Sequence, residues 1–484
     1  MDDDQLHARA WAEEEFGSAM LGDARRTERL VRMATQAALA PSGHITEVFI
    51  GSAEQQGAYD FIENSQVLTG ALQEAMARTA ALRSAAHKVV YVPVDGTSLK
   101  LTDRQKSKGF GAIGPYQRGA RGLKVIHALA VSPEGVPLGF LAQTFWRRHE
   151  RPKEPAVKRK LHQKETQHWL ATLSTSLERM ALQAPSTRCW YQLDREGDSA
   201  FVLESLVNSG ALFTVRSSKN RRLETGSARR QYLRGKLGRS PFQMQYSLHV
   251  PARPNRKARL ATMTVRAMRV NLRLHNKWTH HCSAMSLNAV WAREKGTTPR
   301  GEKPIDWLLL TNHAIETLHD LGKILFGYAQ RWRIEEVHKT WKSGACEVDQ
   351  TQLRSGEHVQ KWATILLAVA VRIERLKYLS RTEPSRPASI ELGDHEVQTL
   401  ILLKRKHKKQ TETIPHSMPA IAQATHWIAE LGGYTGKSSG GPPGTITIRR
   451  GLGRLERATE VLACLDETPP TQGSSCLCSI TVRR

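Results

Sequence analysis

Asp95 and Asp194 each close an apolar, strand-like run, "HKVVYVPVD" and "RCWYQLD", and Glu335 lies far along the chain in the charged stretch "YAQRWRIEEVHKTWKSG", residues 328–344. If the two strands are neighbours and the charged stretch is a helix returning to them, three carboxylates converge. Carboxylates so gathered repel one another unless a positive charge lies between them. Hard oxygen donors suit a divalent ion, Mg2+ above all, which keeps positions open for water and phosphate oxygens. Two such ions about 3.5–4 Å apart activate an attacking oxygen and neutralise a leaving one in an in-line phosphoryl displacement. Each residue alone also has a plainer reading, since an aspartate ending a strand forms turns or caps helices, as "DREGD" can.

Wound as one helix, residues 328–344 put Ile334, Val337 and Trp341 on a core-facing stripe. The other side gathers Tyr328, Arg331, Glu335, Lys339 and Lys342, a single carboxylate in a column of hydrogen-bond donors. The plainer alternative makes Arg331 and Lys339 i,i+4 partners of Glu335 on a surface helix, contributing only about 0.3–0.5 kcal/mol per pair.

The whole chain tilts the balance. It has 484 residues, long enough for two to four domains, and its 71 Lys and Arg against 46 Asp and Glu give a formal charge of +25. That much positive potential favours a polyanionic partner, nucleic acid first. A bilayer span is excluded for the longest apolar run, "ATILLAVAV", which is too short. The N-terminus "MDDDQLHARAWAEEEF" has no apolar signal core, so a cytoplasmic protein is expected. The six cysteines, Cys189, Cys282, Cys346, Cys464, Cys476 and Cys478, show no paired CxxC spacing, and reduced thiols follow. His280, His281 and Cys282 are consecutive; on a strand, neighbours face opposite ways and make a poor zinc set.

The elements that must position these groups read as follows. Residues 1 to about 70 are helical, with Asp23 as an N-cap, Leu30, Val31 and Met33 turned inward, and Arg25, Arg26 and Arg29 available for phosphates or for solvent. From about residue 86 the order is β-β-β-α-β-α-β, the first strand ending at Asp95, an α/β unit with helices over a mixed sheet. The basic run after Arg216, "SSKNRRLETGSARRQYLRGKLGR", reads as a loop too polar to join a core. Residues 241–312 read as a second, β-rich unit inserted before the charged helix. Beyond about residue 375 come the linker-like "SRTEPSRPAS", the basic "LLKRKHKKQ", a small helical domain and a patternless tail, "DETPPTQGSSCLCSITVRR".

The pattern Tyr, two residues, Arg, three residues, Glu, six residues, Lys, together with "VDGTS", "LDREGD", "LGDARRTERLV" and "DWLLLT", resembles the DDE transposases of the insertion-sequence-four family. The resemblance implies an α/β fold: a ribonuclease H-like mixed-sheet catalytic core over residues 71–375, with a β-rich insertion at about 240–312. A helical DNA-recognition domain, residues 1–70, and a helical dimerisation domain, residues 376–484, would flank it. Asp95, Asp194 and Glu335 match the family's metal-binding catalytic triad, served by two Mg2+ ions with Mn2+ as a substitute. Tyr328, Arg331 and Lys342 match residues that hold transposon-end DNA, with Lys339 in an adjacent DNA-facing position. Arg25, Arg26 and Arg29 match end-DNA contacts, and Arg216 a contact near the cleavage site. Trp307 and Trp332 match tryptophans beside a flipped base, with a buried strand as the lesser alternative for Trp307. The family acts as a homodimer on double-stranded DNA, transposon ends and target alike, by hydrolysis, hairpin formation and strand transfer. A non-transposing nuclease on the same core and an inactive end-binding regulator remain as alternatives.

Overall fold

The computed structural model describes residues 5–466 apart from 116–118, 149–158, 226–229, 251–256, 276–281, 407–413, 415–417 and 437–440. The "THHCS" histidines, residues 407–410 at the end of the basic run "LLKRKHKKQ" and the C-terminal tail from residue 467 lie outside the described residues.

The chain opens with α1 (Gln5–Phe16), α2 (Ala24–Leu39), the short α3 (Ile45–Val48), α4 (Ser52–Glu63) and α5 (Thr69–Ser84). Asp23 caps α2 as expected, accepting from the Arg25 backbone N–H at 2.8 Å, and Leu30, Val31 and Met33 are buried. A meander follows: β1 (Val89–Lys100), the two-residue β2 (Gly111–Ala112), β3 (Arg121–Val131) and β4 (Pro137–Trp146). Then α6 (Thr166–Gln183), β5 (Arg188–Leu193), α7 (Ala200–Asn208) and β6 (Leu212–Arg216) complete the expected alternation.

β5 lies parallel to both β1 and β6, and β3 antiparallel to β1 and β4, so the sheet is mixed. Strand alternation splits its side chains between two cores. Val90, Val92 and Val94 pack with Leu173, Met180 and Leu203 of α6 and α7. Tyr91, Trp190, Val125 and Leu129 face the other way, toward the helices late in the chain and the N-terminal helices.

One expectation needs correction here. The region after β6 is not all loop: α8 (Leu233–Arg239) forms within it, and Leu223, Leu233 and Leu237 enter a core, because three leucines spaced among the basic residues are enough to seat it on the sheet. The inserted β-rich region adds its strands to the central sheet. β7 (Met244–Val250), β8 (Arg259–His275), β9 (Cys282–Glu294) and β10 (Asp306–Thr311) continue the central one in the order β6-β10-β9-β8-β7. β10 joins β6 through Leu309↔Arg216 to Thr311↔Thr214, covering an edge that would otherwise expose unpaired backbone groups.

The chain then forms α9 (Leu318–Ala329), α10 (Trp332–Lys342) and the long α11 (Gly356–Thr382), followed by α12 (Asp394–Lys406), α13 (Ile421–Leu431) and α14 (Thr445–Asp466). The apolar run "ATILLAVAV" is the buried centre of α11. No helix among the described residues is long and apolar enough to cross a membrane.

Candidate active site

The parallel register between β1 and β5 ends at Val94↔Leu193, and the next residue on each strand is an aspartate. By alternation Asp95 shares the face of Tyr91, and Asp194 that of Trp190, so the two emerge side by side toward α10. Asp95 does not end its strand, however. β1 runs on to Lys100 because its other edge stays paired with β3, through Asp95↔His127 to Lys100↔Gly122; only the parallel partner leaves at this point.

The stretch from Tyr328 to Lys342 is also not one helix. α9 ends at Ala329 and α10 begins at Trp332, with the Arg331 N–H bonded to the Tyr328 carbonyl at 3.1 Å in a tighter turn. Tyr328 therefore belongs to the last turn of α9, not to the helix of Glu335. It is 1% exposed, with its ring 5.4 Å from that of Trp307 in a T-shaped contact. The apolar stripe behaves as expected: Ile334, Val337 and Trp341 are buried, and Trp341 donates its indole N–H to the Ala363 carbonyl of α11 at 2.9 Å. That packing holds α10, and Glu335 with it, against the sheet.

Arg331 joins the carboxylates. Its guanidinium lies 2.6 Å from Glu335 and 3.7 Å from Asp95. Burial pushes the Asp95 carboxyl up to about 7; Arg331 opposes that, Asp194 and Glu335 reinforce it, and a 2.9 Å bond from the Gly96 N–H opposes it weakly. The Asp194 carboxylate accepts from the Glu196 N–H at 2.7 Å. Glu196, two residues on in "DREGD", adds a fourth carboxylate, raised by burial and by Asp194. The sequence carried it in plain view but gave it no strand-end position.

The remaining matched residues are distributed around this cluster. Lys342 donates to Thr97 Oγ1 at 3.2 Å, and Lys339 is exposed. Arg216 donates to the Asp306 carbonyl at 2.7 Å, and Trp332, 41% exposed, lies under the Arg331 guanidinium at 5.0 Å. Arg216, Arg331 and Tyr328 are within electrostatic and hydrogen-bonding reach of one another, and Arg216 Nε and Arg331 Nε are buried without hydrogen-bond partners among the described residues. Arg25, Arg26 and Arg29 lie on α2, away from this cluster. Arg25 is exposed beside Asp23, Arg26 donates to the Leu21 carbonyl at 2.9 Å, and Arg29 pairs with Glu54 of α4 at 3.1 Å.

Sequence reasoning missed two further groups. His338, one turn past Glu335, bonds ring to ring with His127, the residue opposite Asp95, at 2.9 Å. Burial depresses both, His338 to about 3, so both rings are neutral and one donates to the other. Asp349, close to Lys342 and Lys100, is raised to about 6 by burial. Partners 211 residues apart leave no local pattern to read.

The donor chemistry at Asp95, Asp194 and Glu335 suits a divalent cation: hard oxygens, one of them held partly protonated by burial, which an added positive charge would ionise. Among the described residues, no three His, Cys, Asp or Glu side chains are drawn around one point as they stand. Glu335 is turned to Arg331 instead.

Comparison with known families agrees with this architecture. A family described as "Transposase DNA-binding" matches residues 8–67, and one described as "Transposase DDE domain" matches residues 91–372, more than half of the chain. The chain belongs to the DDE transposases. The mixed sheet is therefore a ribonuclease H-like core, and the helices ahead of it form a DNA-binding segment.

Proposed function

We propose that this DNA transposase is a cut-and-paste enzyme of a bacterial insertion sequence, of the insertion-sequence-four family and similar to the transposase of the composite transposon Tn-five. It binds terminal inverted repeats as a homodimer, hydrolyses the end phosphodiester, and uses the freed 3'-hydroxyl for hairpin formation and strand transfer. The observation that carries the reading is the β1–β5 register, which sets Asp95 beside Asp194 on the face that α10 covers with Glu335.

In this reading Asp95, Asp194 and Glu335 hold Mg2+, with Mn2+ as a substitute; the bound metal supplies Lewis acidity to the attacking and leaving oxygens of the phosphoryl transfer. Arg331 serves as the internal countercharge that keeps the carboxylates compatible before that, and its release of Glu335 completes the donor set. The buried Nε donors of Arg216 and Arg331, grouped around the Tyr328 hydroxyl, support an anionic occupant beside the carboxylates, as a phosphodiester is. Exposed Lys339 and Arg25 take outer phosphates, and Trp332 offers an indole face on which an extruded base gains about 1–3 kcal/mol of stacking.

The test is incubation with Mg2+ and a plasmid carrying the flanking repeats, alongside Asp194→Asn. The wild type should release the repeat-flanked segment and join it to a target; the variant should bind the repeats without cutting. Equal cutting by both removes the carboxylates from the chemistry. Cutting without dependence on paired repeats indicates a nuclease, and binding without cutting by the wild type indicates an end-binding regulator.

A further inference from the structure

The positive charge of the chain is concentrated in one stretch. Residues 216–306 hold 21 Lys and Arg against 4 Asp and Glu, a formal +17 of the chain's +25, whereas residues 8–67, the segment matched as DNA-binding, hold 5 against 9. Each of the four acids is tied to an arginine of the same stretch: Glu294 and Glu302 to Arg259, Asp306 to Arg234, and Glu224 to Arg273, at 2.7–3.7 Å. Several of the remaining cations meet on the α8 side of β9. Arg234 of α8 and Arg293 of β9 flank the Trp291 ring, 5.4 and 5.8 Å from its centre, and Lys236 and Arg239 follow on α8. Lys236, Arg239, Arg293 and Lys295 are exposed and form no ion pair among the described residues. Thr264 and Gln245, paired in line with Arg293 across β8 and β7, add hydrogen-bonding groups to the same face.

Asp306 joins this face to the catalytic end of the sheet. Its carboxylate accepts from Arg234 and from the Trp291 indole N–H, each at 2.9 Å, and its carbonyl accepts from Arg216. Arg216 follows Val215, the partner of Leu193, and so stands beside Asp194. At a strand spacing of about 4.8 Å, β9 lies about 14 Å from β5, less than half of the roughly 34 Å in one turn of DNA. A duplex resting on this face therefore comes within reach of the carboxylates. By alternation Asp306 points away from Trp307, whose ring packs on Tyr328, so the face lies on the side of the sheet opposite α10.

Exposed Lys and Arg whose local acids are already neutralised bind phosphates and carry no sequence information. That suits a duplex held whatever its sequence. Strand transfer also brings two duplexes to one active site, and Lys339 and Lys342 stand on the α10 side, which leaves the α8 side for the second. We propose that the α8 side of β8 and β9, through Lys236, Arg239, Arg293 and Lys295, holds the target duplex by its phosphates. This rests on the strand-transfer reading above.

The experiment uses the full-length protein, Mg2+, a duplex carrying the flanking repeat already cut to a 3'-hydroxyl, and a plasmid of unrelated sequence as target. Joining, end binding and the cutting of an uncut repeat are measured separately. The combined variant Lys236→Ala, Arg239→Ala, Arg293→Ala should lower joining on the order of tenfold at low plasmid concentration, with recovery as plasmid is raised. Its affinity for unrelated duplex should fall with salt on a logarithmic slope smaller by about 3, while end binding and cutting stay within about twofold. Lys236→Arg, Arg239→Lys, Arg293→Lys together keep the charges and should restore joining. If the alanine variant does not fold, Lys236→Ala with Lys295→Ala, both exposed, carries the test with a slope smaller by about 2. Joining at the wild-type rate by a folded alanine variant overturns the proposal. So does a matching loss of end binding, which gives the face to the end duplex, and so does a loss of joining that added plasmid does not relieve. A wild type that cuts ends but joins none overturns the strand-transfer reading itself, and this inference with it.

Discussion

The Arg331 guanidinium stands between Glu335, at 2.6 Å, and Asp95, at 3.7 Å, and so bridges a helix and a strand whose carboxylates would otherwise repel. The bridge has two consequences, one for stability and one for protonation. Arg331 is 6% exposed, whereas the Glu335 side chain is 37% exposed and keeps part of its hydration. Arg331→Met should therefore cost about 2 kcal/mol, less than a fully buried pair loses when one partner goes, measured by chemical denaturation without metal. Arg331 also holds the Asp95 carboxyl down, so its removal should move Asp95 further above about 7, followed by the carboxyl carbon chemical shift as pH is varied. An unmoved or lowered Asp95 titration would rule out the bridging role.

Asp198 is a second buried carboxylate, and its partners lie on the basic segment after β6. Its side chain is fully buried. It accepts from the Ser218 N–H at 2.7 Å, the Ser217 hydroxyl at 3.1 Å and the Arg221 guanidinium, whose Nε lies 3.1 Å away. Asp198→Ala would strand the Arg221 guanidinium and leave the Ser218 N–H without its acceptor, so a loss of about 3–5 kcal/mol is expected in urea denaturation. The same change should loosen residues 217–221 and speed amide exchange there. Wild-type stability in this variant would mean that the segment is held by other contacts.

DNA binding should depend steeply on salt. With 71 basic against 46 acidic residues, end binding neutralises many phosphates, and the logarithm of the affinity should fall linearly with that of the salt concentration. Arg25 is 91% exposed and, among the described residues, is paired only with its neighbour Asp23. Arg25→Ala should weaken binding to all sequences alike and lower the magnitude of the slope by about 1. A slope unchanged by the substitution would remove Arg25 from the phosphate contacts.

The sequence made the paired aspartates legible because two things coincide: apolar runs that end on Asp, and strand alternation that puts both on one face. The α10 stripe was legible for a similar reason, since Ile334, Val337 and Trp341 follow the helical period and are all buried. The break at Gln330–Arg331 was not. No Gly or Pro marks it, and the charged periodicity runs straight through; the turn is held by tertiary contacts such as the Tyr328–Trp307 packing. The joining of β10 to β6 was hidden for the same reason, because register between strands about 90 residues apart is decided by pairing rather than by composition. Strand pattern alone reads an insertion and an extended sheet alike.

Asp95 in the site and His338 behind it should make stability depend on pH in opposite senses. Asp95 is raised in the folded protein to about 7 from an ordinary 3.8, so its contribution is complete below about pH 4 and is lost as pH rises to 7. His338 is depressed to about 3 from 6.5, so its contribution is complete above pH 6.5 and is lost as pH falls toward 3. Between pH 4 and 6.5 the two partly cancel, and a metal-free melting profile hides both. Substitution separates them. Asp95→Asn should be more stable than the wild type at pH 8 and near it at pH 4, leaving a profile that declines only on the acid side. His338→Gln should be less stable near neutrality, through loss of the His127 bond, but should flatten the acid decline. Mg2+ should raise the wild-type melting temperature most at pH 8, where Asp95 is ionised, and should leave Asp95→Asn nearly unmoved. Equal Mg2+ shifts in the two proteins would place the ion away from Asp95.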